Sequence, residues 1–288
     1  MGRSVRTRVG EAPDRSAYEK LETIMMNRPM KNLMLYVVED PNADLDGVRR
    51  LLELQVENSL ELGWRAEDIV LFTSFPFDYM GVTGIEVGAG GRPRTARATS
   101  FHKTRCILKA FDLLPEGGVF WYHDADAYQL EPITSPPSAR ALAFTLYTTR
   151  ERQLVQGGSM FFSAEARPVF LAVDDLLVNH RCRKDEFALT DVVGRPEFFD
   201  LFDVLDGSYN LGTTDFELRL QLAELPIKVA HFHLGRPAHR AVFLEGGNSL
   251  GAFPLPDRFL RLLARHGFVD PEELTRSLLE RGRRAEDY

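Results

Sequence analysis

Cysteine is nearly absent: Cys106 and Cys182 are the only two in 288 residues, and they form no CxxC pattern. That excludes a disulfide scaffold and a paired-thiol zinc site, and points to two unpaired thiols in a cytoplasmic protein. His180-Arg181-Cys182 offers two soft donors but no second pair to complete a zinc site. Long apolar runs are missing as well. None approaches the ~18 residues of a spanning helix, and no signal-type apolar stretch opens the chain, so no membrane span is expected. An excess of positive charge is also lacking. The formal net charge is −7 and the pI about 5.6, which excludes a surface built throughout as a nucleic-acid footprint and leaves only a local basic groove open.

What is present is an ordinary globular composition, 44% hydrophobic and 27% charged, in a chain long enough to bury a sizeable core. Neither an internal repeat nor an interdomain linker is evident, so one main domain is expected over 31–255. Residues 1–30 read as a flexible leader with a short helix. Arg3, Arg6 and Arg8 fit a mobile terminus better than a nucleic-acid arm. Residues 256–288 read as C-terminal helices packed on the same domain.

The spacing of apolar residues predicts alternating elements. LMLYVVED (33–40) is a buried strand ending on Glu39 and Asp40. Asp44 opens a helix whose apolar positions run from Leu45 to Leu60 and which Gly63 closes. IVLFT (69–73) is a second strand. Residues 74–100 break the pattern. GVTGIEVGAGGRPRTARATS holds Arg92, Arg94 and Arg97 without usable periodicity, and reads either as a basic flap over an anionic substrate or as a solvated insertion. Further elements are a helix over 101–114, strands over 118–122, 141–147 and 155–163, and helices over 167–179, 185–193 and 215–225. A late strand over 227–233 and helices over 257–266 and 271–282 complete the set. Strand, helix, strand in succession is the pattern of an open α/β sheet. Trp64 and Trp121 are expected in its core.

The chemistry concentrates in VFWYHDADAYQLEP (119–132), where an unbroken apolar run stops at Asp124 and Asp126. Isolated carboxylates are costly to desolvate, so something must compensate them. At the carboxyl end of a central strand they face the crevice where open α/β sheets bind ligands. In extended backbone, residues i and i+2 share a side. Two hard oxygen donors then suit Mg²⁺ or Mn²⁺ shared with substrate phosphates. A turn or helix-cap role for the pair is the plainer alternative. His123, by alternation, points away from the pair and is a candidate supporting group.

HKTRCILKAFDLLPEGGVFWYHDAD resembles the segment of family-8 glycosyltransferases, the glycogenin and lipopolysaccharide galactosyltransferase group, in which a Lys-x-x-Cys helix precedes a strand ending in Asp-Ala-Asp. Lys103, Cys106, Asp124 and Asp126 fall on matching positions. Gln156-Gly157-Gly158-Ser159 is similar to the family's Asn-Ser-Gly stretch, Asp185-Glu186 stands where the family has Asp-Gln, and Tyr209-Asn210 matches a Tyr-Asn element. VAHFHLG (229–235) resembles its late His-Phe-x-Gly strand. The matches keep the family's order over about 33–237.

The resemblance implies an α/β fold of the GT-A type, a mixed and mostly parallel sheet flanked by helices. It also implies transfer of a sugar from a nucleotide-sugar, with a UDP-sugar favoured, to an acceptor hydroxyl. Asp124, Asp126 and a late histidine, His231 or His233, would hold the dication. Lys103 would touch the donor's ribose or phosphates, Gly157 and Gly158 would admit the sugar, and Asp185 would bond its hydroxyls. Asp185 and Glu186 are the catalytic candidates. By residue chemistry alone, Lys103 is equally a solvated lysine, Asp185 and Glu186 equally a helix cap, and the histidines equally structural. Glu39 and Asp40 are placed to receive a nucleoside hydroxyl. Gly235-Arg236-Pro237-Ala238-His239-Arg240 departs from the family's Lys-Pro-Trp, and Arg236 or Arg240 would supply the cation instead. The acceptor stays open between a carbohydrate, a protein or small-molecule hydroxyl and a hydroxylated nucleobase in DNA. Retention follows if the family's course holds, and inversion if Asp185 or Glu186 acts as general base. Two other readings compete, a metal phosphohydrolase acting on sugar phosphates and a non-catalytic nucleotide-sugar binding module.

Overall fold

The computed structural model describes residues 28–38, 44–88, 96–148, 152–179, 182, 184–212, 216–232, 255–268 and 270, without the side chains of 96–101 and 216–217. Its strands are β1 (Met30–Tyr36), β2 (Ile69–Thr73), β3 (Asp78–Tyr79), β4 (Val82–Thr83), β5 (Ile85–Glu86), β6 (Val119–His123), β7 (Ala127–Gln129), β8 (Leu142–Thr148), β9 (Gln153–Ser163), β10 (Phe202–Leu205), β11 (Leu211–Gly212) and β12 (Val229–His231). Its helices are α1 (Leu45–Glu61), α2 (Ala96–Ala110), α3 (Arg167–Val178), α4 (Asp185–Val193), α5 (Phe216–Leu222) and α6 (Asp257–Arg265).

The main sheet has the order β10-β8-β9-β6-β1-β2-β5. β6, β1, β2 and β5 run parallel, as do β10 and β8, whereas β9 runs antiparallel to both of its neighbours. Both faces are covered, which explains why VFWY is apolar without alternation. Phe120 and Tyr122 lie on the side of α2, α3 and α4 with Phe144 and Phe162, and Trp121 lies on the side of α1 with Trp64 and Phe161. The two indoles stack at 5.8 Å. Both tryptophans are core residues, as the sequence reading expects.

α1 matches its expected limits because both of its ends are encoded locally. Asp44 accepts from Gly47 N–H at 2.9 Å, and Gly63, with φ +96°, takes the left-handed backbone that a helix C-terminus favours. Other limits move. The first strand begins at Met30 and ends at Tyr36, so Glu39 and Asp40 lie outside the described residues. The helix over 101–114 instead starts at Ala96 and gives way to a 3-10 turn at Phe111–Leu113. Residues 74–100 are not uniformly loop, because they contain β3, β4, β5 and the first turn of α2. These strands are too short for a periodicity to register. The helix expected over 215–225 shortens to α5, and the late strand over 227–233 shortens to β12. The helix expected over 271–282 lies outside the described residues.

A second, three-stranded sheet, β11-β12-β7, sits beyond the carboxyl end of β6. Tyr128, Phe232 and Phe259 meet behind it with centroids 5.4–5.6 Å apart, which fastens α6 to this small sheet. β7, β10 and β11 have no counterpart in the sequence reading, since runs of two to four residues carry too few alternations to be seen.

Candidate active site

β6 delivers its carboxylates at its end, but not by continued extension. The strand stops at His123, and Asp124–Ala127 forms a turn closed by Ala127 N–H donating to Asp124 O at 3.0 Å. The shared side of Asp124 and Asp126 therefore comes from the turn and not from the pleat. The reversal leads into β7, which pairs antiparallel with β12 so that His231 stands opposite Ala127. Phe232 N–H donates to Asp126 O at 2.8 Å. This pairing brings a residue 105 positions away onto the carboxylates: His231 Nε2 is 2.8 Å from Asp126 Oδ1 and 3.9 Å from Asp124 Oδ2. One donor atom from each of Asp124, Asp126 and His231 lies within 4.8 Å of the others. Two hard oxygens and an imidazole nitrogen suit Mn²⁺ or Mg²⁺.

β9 builds the floor. Because it runs antiparallel to β6, its first half passes the Asp124–Ala127 turn, and Asp124 N–H donates to Gly158 O at 2.9 Å. Its register against β8 jumps from Met160↔Phe144 to Gln156↔Thr145, leaving Gly157, Gly158 and Ser159 without a β8 counterpart. Such a bulge re-aims the chain next to a site. Gly158 has to be glycine here, since a Cβ would lie 2.5 Å from His231 Cε1 and 3.3 Å from Asn210 Nδ2. Asn210 is buried, and its side-chain amide has no hydrogen-bond partner among the described residues. A buried polar group of this kind marks a place where a water or ligand belongs.

Lys103, from α2, joins the pieces. Its Nζ donates to Gly157 O at 2.8 Å and pairs at 3.0 Å with both Asp124 Oδ1 and Asp185 Oδ2. Burial works against its charge, but Asp124 and Asp185 outweigh that and hold the ammonium well above the ordinary lysine range. It is therefore not a solvated lysine. Tyr122 donates its hydroxyl to Asp124 and lies 4.8 Å beneath the Lys103 ammonium. Burial, then Asp124, pushes that phenol well up. Sequence reading counts Tyr122 only as core, although a tyrosine in a fully covered strand signals that its hydroxyl needs a partner.

The N-cap of α4 is Lys184, whose side chain makes no cap hydrogen bond, and Asp185 and Glu186 follow it in the first turn. Tyr147 OH donates to Glu186 Oε2 at 3.3 Å, and burial, then Asp185, raises the Glu186 carboxyl. Burial likewise opposes protonation of His231, but Asp126 and then Asp124 more than compensate and raise it. His123 lies behind the turn, and burial pushes its imidazole down to about 4. Asp191 is exposed and pairs with Arg152 at 3.6 Å. Glu39, His233, Arg236, Arg240, Arg92 and Arg94 lie outside the described residues, as does the Arg97 side chain.

No protein-family model and no curated protein matches the chain. Solved structures do. The chain is similar to the galactosyltransferase LgtC, solved in complex with donor and acceptor sugar analogs, with 12% identity and a TM-score of 0.53 over 84% of this chain and 98% of that one. An active-site mutant of LgtC matches to the same extent. The glycosyltransferase GlyE of Streptococcus pneumoniae matches with 12% identity and a TM-score of 0.50, over 89% of this chain and 64% of that one. The architecture is that of the GT-A glycosyltransferases, one mixed, mostly parallel sheet with flanking helices.

Proposed function

We propose that this chain is a divalent-metal-dependent glycosyltransferase that moves a sugar from a nucleotide-sugar to an acceptor hydroxyl. The observation that carries the reading is the convergence of Asp124, Asp126 and His231 beside Lys103 and the Gly157-Gly158 bulge. Asp124, Asp126 and His231 would hold Mn²⁺ or Mg²⁺. Bound there, the ion would neutralise charge developing on the departing diphosphate.

The remaining work falls to the chain's own groups. Lys103 sits between Asp124 and Asp185, from which it reaches a donor phosphate or ribose. Gly157 carries no side chain toward Lys103 or Asp185, so a sugar ring can approach them closely. Asp185 accepts from its hydroxyls. Glu186 lies on the same side, with a raised carboxyl that suits a base working nearer neutrality. We take a UDP-sugar as the donor and retention as the course. Proton removal from the acceptor by Glu186 would instead invert the anomeric centre, and the anomer of the product decides. The acceptor is a carbohydrate or a modified nucleobase in DNA.

Among the described residues no helix is long and apolar enough to cross a membrane. Cys106 and Cys182 are both buried and unpaired, which supports the cytoplasmic placement. Burial pushes the Cys106 thiol up to about 11, so it is inert.

A thermal-shift panel of nucleotide-sugars with and without Mn²⁺ tests the reading. One donor is expected to raise the midpoint only with the metal, and Asp126→Ala to abolish that metal-dependent part. A midpoint indifferent to every donor and to Mn²⁺ contradicts the assignment.

A further inference from the structure

The Asp124–Ala127 turn is closed by the Ala127 N–H to Asp124 O hydrogen bond, and groups from outside the turn fix its carbonyls. Phe232 N–H holds the carbonyl of Asp126. The other three carbonyls are met from beneath by side chains of β1 and α1, with His123 of β6 also 2.9 Å from Ala127 O and 3.3 Å from Asp124 O. Gln55 Nε2 lies 2.8 Å from Ala127 O and 3.3 Å from Asp124 O. Tyr36 OH lies 3.0 Å from Ala125 O and 2.6 Å from Gln55 Oε1, its single proton within reach of both.

The orientation of these groups is determined by what they face. One end of the Gln55 amide meets two carbonyl oxygens, which only N–H can satisfy, so the other end is the oxygen that faces the phenol. His123 is held from its other side by Asn32 and Ser59. Ser59 Oγ donates to Gln55 O at 2.9 Å and accepts from Asn32 Nδ2 at 3.1 Å, which turns Asn32 Oδ1 toward His123 Nε2 at 2.9 Å. His123 Nδ1 lies 2.9 Å from both Gln55 Nε2 and Ala127 O and 3.3 Å from Asp124 O, so the imidazole lies beside the Gln55 amide beneath the turn. Gln55, His123 and Ser59 are each 1% exposed and Asn32 is fully buried. Between the buried Leu52 and Val56 on α1, a glutamine is a costly core residue unless its atoms are paired, and every one of them is.

We propose that Gln55 is the positioning residue of the metal site. It holds the Asp124–Ala127 turn so that both carboxylates face His231, and the Tyr36 hydroxyl and the carbonyl of Ala127 fix the direction of its amide. The proposal rests on the metal-binding reading above. Asn58 supplies an internal comparison. It is equally buried, one turn further along α1, and donates at 2.9 Å to Gln129 O, outside the turn.

Mn²⁺ titrated calorimetrically into the full chain tests the proposal, with the unfolding midpoint recorded in the absence of metal. The wild type is titrated first, and a wild type that takes up no Mn²⁺ overturns the metal reading and this proposal with it. Gln55→Met is expected to weaken Mn²⁺ binding about ten-fold or more, the scale of groups that orient metal ligands. Tyr36→Phe is expected to weaken it less, and the double variant to fall short of the two effects combined, because Tyr36 acts partly through Gln55. Asn58→Leu is expected to lower the midpoint while leaving the Mn²⁺ affinity unchanged. A Gln55→Met protein that loses stability but binds Mn²⁺ like the wild type overturns the proposal alone. Should Gln55→Met fail to fold, Tyr36→Phe, which keeps the ring's packing, carries the test by the same two outcomes.

Discussion

At the scale of single residues, the site is a set of charges that hold one another in place. Glu186 shows how the balance sets pH dependence. Burial and Asp185 raise its carboxyl, whereas Lys103 and the Tyr147 hydroxyl lower it. The acidic limb of activity is therefore expected above the ordinary glutamate value, and Tyr147→Phe, which removes one lowering contact, is expected to move that limb higher still. Rate–pH profiles of the two proteins check this. The folded state also binds this proton more tightly than the unfolded chain does. Its contribution to stability is thus present below the ordinary glutamate pKa and lost as pH rises through the raised one. Glu186→Gln is expected to flatten that slope in unfolding midpoints measured across pH. The Asp pair was legible in the sequence because two acids ending an apolar strand demand a compensating charge. Gln55 and Tyr122 were not. Their partners lie on other elements or at a strand's end, and a glutamine on a helix or a tyrosine in a strand looks the same in one dimension whether or not its polar atom has work to do.

At the scale of elements, chain reversal matters more than strand extension. The turn after β6, the bulge in β9 and the pairing of β7 with β12 bring together residues from distant parts of the chain. Gly158→Ala tests how tightly they are fitted. The added methyl overlaps the His231 ring, so the imidazole or the bulge has to shift, and Mn²⁺ affinity is expected to fall about ten-fold or more. A calorimetric titration reads the change. The long elements were legible because α1 has an encoded cap and stop and β6 an uninterrupted apolar run. β7, β11 and β12, two or three residues each, were legible only partly or not at all, although they place His231. The register that matters here is fixed by backbone pairing, which leaves little trace in side-chain pattern.

At the scale of the whole molecule, three apolar clusters support the site from different sides, two across the main sheet and one beneath β7 and β12. Phe259 ties the third to α6, whose start is held by Arg258 on Glu61 at 3.2 Å and whose far end is held by His266 on Glu57 at 2.8 Å. Phe259→Ala is expected to cost about 3–5 kcal/mol, the usual range for emptying a buried aromatic position, and urea unfolding measures it. Fold class was readable from alternating strands and helices together with the ordered motifs, whereas the antiparallel course of β9 emerged only from the pairing itself. The most direct test of the central claim is an anomalous difference map from crystals soaked in Mn²⁺. A single peak within coordinating distance of Asp124, Asp126 and His231 is the expected result. A map with no peak there, or with its peak elsewhere on the chain, would contradict it.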